Sequence, residues 1–281
     1  MYFFETKKEN VSLAREEIES YTNNKIIKNK NIFSTTERIP FKRLALTNEV
    51  YKTCRKKKGD FKFAKIDKES LKFIKELKAQ GNKVNLSNPK IIYKVINKKL
   101  CMLIWKNNNS YIKRNPKFRK GFHPAACSAK LARIMINLTG IKKGKILDPF
   151  CGTGGLLIEG SLMGIDMYGF DLDKKMLDAT KLNLNQFNVK ANLSQKNALD
   201  INKKFDAIAT ELPFGKTTKL DRKVSILLND FLIVTKKITN KLVVVVPEDK
   251  YIIKDWRIKF KAKIYIHKSL SKVIYVLTNE N

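Results

Sequence analysis

The stretch Asp148-Pro149-Phe150-Cys151-Gly152-Thr153-Gly154-Gly155 constrains the fold of this chain more than any other. Lys145-Ile146-Leu147 before it reads as a short strand, and Leu156-Leu157-Ile158-Glu159-Gly160 after it reads as the start of a helix. A strand that ends in an acid and turns through glycines into a helix lets a ligand approach the backbone, because no Cβ stands in the way. The helix behind the turn directs its free N–H groups into the same space. The turn has neither a Gly-Lys-Ser/Thr ending nor a Gly-x-Gly-x-x-Gly pattern, and Asp148 at its mouth repels a pyrophosphate and favours a cation or an amine. S-adenosylmethionine (SAM), with an ammonium, a sulfonium and an adenosine, matches such a site. Pro149, Phe150, Gly152, Thr153 and Gly154 join Asp148 as expected cofactor contacts. The alternative is an ordinary strand–helix turn.

The segments that follow fit a cofactor site. Met167 to Asp173 reads as a second strand ending in acids, with Asp171 lying 23 residues after Asp148. Doubly wound folds place an acid at about this distance to hold ribose hydroxyls. Leu172 beside it belongs to the same expected site, and Asn197-Ala198, after a third candidate strand, is expected near the adenine. Lys174 to Phe187 reads as an amphipathic helix with Met176, Leu177, Leu182 and Leu184 among its apolar positions.

Phe205 to Thr210 reads as a fourth strand and runs into Glu211-Leu212-Pro213-Phe214-Gly215. Enzymes that methylate the exocyclic amine of a base carry Asp/Asn/Ser-Pro-Pro-Tyr/Phe at this place. Such a nitrogen is a poor nucleophile, because its lone pair is delocalised into the ring. A side-chain oxygen and a backbone carbonyl accept its two N–H groups and hold it for attack, and the aromatic ring stacks on the flipped base. Glu211, Leu212, Pro213 and Phe214 are the expected catalytic element, although Glu211 is one methylene longer than Asp and Leu212 stands where the first proline would be. A turn closing a buried strand is the alternative. A nucleophilic cysteine, as used in ring-carbon methylation, is expected beside the fourth strand, and the sequence places none there. Cys151 reads as a small buried turn residue.

The chain has 281 residues, enough for two domains, and 58 Lys+Arg against 26 Asp+Glu give a net charge of +32. Residues 1–120 carry 31 basic and 11 acidic side chains, net +20, which marks the front as the platform for a polyanion. Lys, Asn and Ile are abundant throughout, as in chains from AT-rich genomes, which accounts for part of the basic excess. Cys54, Cys101, Cys127 and Cys151 form no Cys-x-x-Cys pair, so neither a zinc site nor a disulfide framework is expected. The start of the chain lacks a signal-peptide pattern, and Leu242 to Val246 is too short to span a bilayer, so the expected setting is cytoplasmic, with no membrane partner.

Along the chain, residues 2–6, Arg43 to Thr47, Phe61 to Ile66, Lys90 to Asn97 and Leu100 to Trp105 read as strands, the last two as a hairpin. Helices are expected at Leu13 to Tyr21, Val50 to Lys58 and Lys68 to Gln80, the last with Leu71, Ile74 and Leu77 inward. These make an α+β front over 1–107. Residues 108–122, with Lys113, Arg114, Lys117, Arg119 and Lys120, read as a basic linker, either a solvated tether or an RNA contact. Ser128 to Leu138 reads as the helix that opens a catalytic domain over 123–281. Lys241 to Pro247, Phe260 to His267 and Lys272 to Thr278 read as its last strands, the final two antiparallel.

Asn88-Pro89-Lys90, Phe122-His123-Pro124, Lys130-Leu131-Ala132-Arg133, the Asp148–Gly155 loop and Thr210–Gly215 occur in this order in archaeal tRNA guanosine N2-methyltransferases that act at position 10, and the chain resembles that family. The resemblance covers most of the chain and is strongest from Arg114 to Gly215. It implies an α/β architecture: an N-terminal ferredoxin-like segment and THUMP RNA-binding domain joined to a Rossmann-like SAM-dependent methyltransferase sheet. It also implies SAM as donor, tRNA as partner, and mono- or dimethylation of guanosine N2. The front is shorter than the family's usual one, and His123-Pro124-Ala125-Ala126 keeps only the first two residues of the family's pattern. His123 is expected either at the cofactor or target, or in packing of the linker. Two other readings stay open: amine methylation of ribosomal RNA or another base, and a SAM- and RNA-binding module with weakened catalysis.

Overall fold

The computed structural model describes residues 1–213, 224–247, 251–267 and 270–279. The chain divides into two compact units, the first made of Met1–Arg15, Thr22–Lys42 and Leu46–Asn108. Its seven-stranded sheet takes the order β2-β3-β1-β4-β7-β6-β5, from β1 (Tyr2–Thr6), β2 (Ile27–Asn29), β3 (Ile32–Thr35), β4 (Thr47–Thr53), β5 (Phe61–Phe63), β6 (Ile91–Ile96) and β7 (Lys99–Lys106). All neighbours are antiparallel except β5 and β6. The expected hairpin closes through Asn97 and Lys98, both with positive φ (49° and 60°), the twist that suits a two-residue turn.

Of the two helices that begin in this part of the chain, α1 (Val11–Glu19) and α2 (Lys68–Ala79), the second starts on a capping box. Asp67 accepts from the Ser70 N–H, and the Ser70 hydroxyl oxygen accepts from the Asp67 N–H, so two donors that the helix leaves open are satisfied. Leu77 packs with Phe61, Phe63, Ile91, Tyr93 and Leu100, and Ile74 lies against that cluster. Leu71, expected inward, is 48% exposed.

The expected helix at Val50 to Lys58 is not formed. Thr47–Thr53 is instead a strand paired on both sides, with β1 and β7. Val50 and Tyr51 are fully buried there, and ladder pairing plus burial outweighs the helical preference of the lysines that follow. Arg43 to Thr47, read as a strand, is a 3-10 turn at Phe41–Arg43 followed by a buried loop. The β2–β3 hairpin leaves no signal in the sequence, because its strands are short and β2 is exposed throughout.

The second unit contains Glu16–Tyr21, Arg43–Ala45 and the chain from Asn109 onward. Its strands are β8 (Lys145–Asp148), β9 (Asp166–Asp171), β10 (Asn192–Gln195), β11 (Ala207–Glu211), β12 (Lys241–Val246), β13 (Arg257–His267) and β14 (Leu270–Thr278). The sheet order is β10-β9-β8-β11-β12-β14-β13. The first five strands are parallel, and β14 runs antiparallel between β12 and β13. Leu242 to Val246 are all fully buried, the continuous apolar run of a parallel strand covered on both faces. The helices are α3 (Ala129–Leu138), α4 (Gly155–Leu162), α5 (Lys174–Gln186) and α6 (Val224–Lys236). On α5, Leu177 and Leu184 are buried, whereas Leu182 is 53% exposed.

The early segments are bonded into this unit. Glu17 accepts from the Ala45 N–H and from the Asn137 side chain, both at 2.7 Å, and Tyr21 donates to Asn137 at 2.8 Å. No described helix is long and apolar enough to cross a membrane.

Candidate functional site

From β8 the chain builds outward through β9 and β10 on one side, then returns to place β11 and β12 on the other. Ligands of open α/β sheets bind outside the carboxyl ends of the strands where the order reverses, here between β8 and β11. Asp148 ends β8 and Glu211 ends β11. Asp148 is 1% exposed and accepts from the Thr210 hydroxyl at 2.7 Å and from the Phe150 N–H at 3.3 Å. Burial pushes its carboxyl up to about 7, and the nearby charges of Asp171 and Glu211 act in the same direction against the Thr210 and Phe150 bonds.

The glycine turn is fixed from three sides. The Cys151 N–H donates to the Phe170 carbonyl at 2.9 Å, the Thr180 hydroxyl to the Gly152 carbonyl at 2.7 Å, and Asn183 to the Thr153 carbonyl at 2.9 Å. Gly154, at φ +81°, caps α4 in the left-handed region, and a Cβ there would lie 2.8 Å from Thr180 Cγ2. Gly152 differs: a Cβ there would meet nothing within 4 Å, so the space above this backbone is open. Pro149 is buried, and Phe150 stands edge-on to Phe231 with centroids 5.4 Å apart.

Asp171 is oriented by the same turn. One carboxylate oxygen accepts from the Gly152 N–H and the other from the Asp173 N–H, each at 2.9 Å. Each oxygen keeps a lone pair, enough to receive a ribose diol. Burial raises the Asp171 pKa, and these backbone bonds oppose the rise. Leu172 next to it is 65% exposed, an apolar side chain available to a flat ring. Ala198 is buried, and Asn197 bends the chain by accepting from the Leu199 N–H at 3.0 Å. The open backbone at Gly152, the remaining lone pairs of Asp171 and a buried Thr153 hydroxyl without a partner among the described residues together fit a nucleoside cofactor with an amino-acid end.

Comparison with known proteins identifies this architecture. A family model described as RMKL-like, methyltransferase domain, matches residues 116–265, more than half of the chain. The chain belongs to this family. A second model, described as DNA methylase, matches residues 2–182. A tRNA (guanine(10)-N2)-dimethyltransferase of Methanocaldococcus jannaschii is 35% identical over 229 residues, covering 75% of this chain and 64% of that protein. One of the same name from Methanothermobacter thermautotrophicus is 35% identical over 173 residues, 57% of this chain and 50% of the relative. The chain thus spans between half and two-thirds of the length of these relatives. Among solved structures, TrmN from Thermus thermophilus superposes with a TM-score of 0.55 at 14% identity, covering 99% of this chain and 98% of that one. A possible methylase from Clostridium difficile 630 gives 0.54 at 16%, covering 100% and 98%. These two share the fold.

In this RMKL-like methyltransferase unit the Glu211 segment has a partner that carries no local sequence signal. Lys272 of β14 forms an ion pair and hydrogen bond with Glu211, each side chain 12% exposed. The pair forms because β14 lies next to β12, one strand from β11. Leu212 is 1% exposed in the core and donates its N–H to the Val245 carbonyl at 3.0 Å, so only its backbone is available to a substrate. Pro213 is half-buried, and Phe214 lies outside the described residues. His123 is half-buried, and its Nδ1 accepts from the Ala125 N–H at 3.3 Å within a turn.

Two expectations change. A cysteine does lie beside the end of the fourth strand: Cys127 faces Glu211. Burial and then that carboxylate push its thiol well above the ordinary value, which disfavours a thiolate nucleophile. The basic linker, in turn, is not a solvated tether. It forms 3-10 turns at Ser110–Arg114 and Pro116–Phe118. Arg114 grips the buried Glu159 of α4 through two nitrogens, at 2.6 and 2.9 Å, with Arg133 at 3.1 Å. Arg119 is 4% exposed, and Gly121 is clamped by Asn183 at 2.7 and 3.0 Å. Lys113, Lys117 and Lys120 remain exposed.

Proposed function

We propose that this chain transfers methyl groups from SAM to the exocyclic N2 amine of a guanosine in tRNA, with position 10 as target and N2-methyl- or dimethylguanosine as product. The observation that carries the reading is the Glu211-Leu212-Pro213 element at the end of β11, beside the Asp148 glycine turn at the switch point of the sheet. The names of the two archaeal relatives support tRNA and guanine N2.

SAM supplies an electrophilic methyl on a sulfonium. Asp171 would hold the ribose hydroxyls, Leu172 and the Asn197-Ala198 turn would flank the adenine, and Asp148 through Gly154 would carry the amino-acid end. Glu211 and the Leu212 carbonyl would accept the two N–H groups of the amine, so that its lone pair faces the methyl. Lys272 holds Glu211 in place, and Phe214 would stack on the flipped guanine. A carboxylate in this position need not remove a proton before transfer. It stabilises the positive charge that develops on nitrogen.

The front over 1–107, in this reading a ferredoxin-like and THUMP region, would dock the acceptor stem, with residues 108–122 leading to the methyltransferase domain over 123–281. The net +20 of residues 1–120 supports this, and the proposed setting is the cytoplasm. The test is a pair of tRNA transcripts differing only at position 10. With guanosine there, methyl should transfer from labelled SAM; with inosine, which lacks the N2 amine, transfer should vanish. Equal transfer to both would refute the target.

A further inference from the structure

No Asp or Glu occurs between Glu76 and Asp148, so residues 108–122 carry their positive charge without acids nearby in the chain. The two arginines of this stretch are taken up by Glu159 and by backbone carbonyls, whereas Lys113, Lys117 and Lys120 are exposed and have no ion pair among the described residues. Two large rings alternate with these lysines along the chain. Phe118 is 49% and Phe122 59% exposed, and Lys117 Nζ lies 4.9 Å from the Phe118 ring centroid.

The backbone that carries the rings is fixed. The Gln186 side-chain carbonyl accepts from the Lys120 N–H, and its amide donates to the Phe118 carbonyl, both at 2.8 Å. Asn183 clamps Gly121, and a Cβ on Gly121 would lie 2.5 Å from the Ala179 carbonyl oxygen, so the chain sits directly on α5. Ala179, Asn183 and Gln186 share one stripe of α5 at helical spacing, and the exposed Leu182 lies on the same stripe.

Scattered exposed apolar side chains need no explanation, but rigidly seated aromatic rings interleaved with free ammonium groups form a pattern. RNA supplies a phosphate for each lysine and a flat π-face for each ring. In a duplex the faces of the bases are covered by their neighbours, so only unpaired nucleotides can stack on the rings. Rings that are already fixed lose little freedom when a base arrives. A protein partner would instead have to bring acids to this face.

We infer that Phe118 and Phe122, flanked by Lys113, Lys117 and Lys120, form a stacking platform for unpaired nucleotides of the RNA substrate. This rests on the RNA reading above and adds that the methyltransferase unit itself grips single-stranded RNA. The cap of α5, Asp173, bonds Asp171, and Asn183 lies roughly 14 Å further along that helix. The platform therefore stands where nucleotides flanking a flipped target would run.

The test measures binding of the full chain, by fluorescence anisotropy, to tRNA, to a single-stranded RNA oligomer and to the duplex of the same length. Phe118→Ala and Phe122→Ala should each weaken the single strand by about 5- to 100-fold and leave the duplex within about twofold. Phe118→Tyr and Phe122→Tyr, which keep a ring, should bind like the wild type. Lys113→Gln, Lys117→Gln and Lys120→Gln together should reduce the slope of log affinity against log salt by about 2 for the single strand. The replaced side chains are exposed, so thermal midpoints should stay unchanged. Wild-type single-strand binding by a folded chain carrying both alanines would overturn the inference, as would equal losses on single strand and duplex. Alanine variants that dissolve a self-association seen in sedimentation, with RNA binding intact, would assign the face to protein contact and overturn it too. A wild-type chain that binds tRNA and duplex but not the single strand would sink the platform alone; one that binds no RNA would remove the RNA reading and the inference with it.

Discussion

At the scale of single residues, the site rests on carboxylates in different environments. Asp148 is buried, with its carboxyl pushed up to about 7, and faces Thr210, Asp171 and Glu211. A cationic ligand group favours its ionised form, so binding below pH 7 must release a proton. S-adenosylhomocysteine affinity should therefore rise between pH 6 and 8 and level off above, and Asp148→Asn should flatten this rise in calorimetric titrations. The sign for stability is opposite. The folded pKa lies above the unfolded value near 3.9, so the folded state binds more protons, and stability from this group falls as pH rises from about 4 to 7. Asp171 is already oriented by two backbone N–H groups, and Asp171→Ala should weaken the cofactor by about 1–3 kcal/mol in the same assay. Glu211 is held by Lys272, and in the proposed mechanism this contact orients it for the amine. Glu211→Ala should cost about 10²-fold or more in single-turnover rate, and Glu211→Gln, which keeps a carbonyl acceptor, should retain part of it. A wild-type rate for Glu211→Ala would remove the carboxylate from the mechanism.

At the scale of elements, the glycine turn is the most demanding piece. Gly154→Ala puts a Cβ at φ +81° against Thr180 and should destabilise the fold by about 1–3 kcal/mol, read as a lowered thermal midpoint. This turn, the acid at Asp171 and the strand–helix alternation from Lys145 to Glu211 were legible in the sequence, because each is local: an apolar run, an acid, a glycine. The antiparallel pair of β13 and β14 was legible for the same reason. What the sequence did not show depends on partners distant in the chain. Val50 and Tyr51 are a strand because β1 and β7 flank them, although the lysines that follow favour a helix. Arg114 and Arg119 read as linker charges, either solvated or on RNA, and only the folded arrangement reveals Glu159 and the Cys127 carbonyl as their partners. Lys272 becomes a neighbour of Glu211 only through the order of strands at the sheet edge. Cys127 lies beside the fourth strand although 80 residues separate it from Ala207.

At the scale of the whole molecule, the methyltransferase unit is discontinuous in sequence. Glu17, Tyr21 and Arg43 belong to it and bond Asn137 of α3, so a cut at residue 107 removes buried partners along with the basic front. A chain starting at 108 should therefore be less stable than the full chain in thermal melts as well as poor at binding tRNA; a truncated chain of unchanged stability would contradict this. In the intact protein, the net +32 should make tRNA affinity fall steeply with salt, as phosphate contacts release counterions. Salt-independent binding would argue against that platform. The central claim joins the sheet, the turn and the Glu211 element into one reaction. It is tested most directly by incubating the full chain with SAM and an unmodified tRNA transcript, then digesting the RNA and identifying its nucleosides by mass spectrometry. The account predicts N2-methylguanosine or N2,N2-dimethylguanosine; methylation of a different base, or a tRNA left unmethylated, would contradict it.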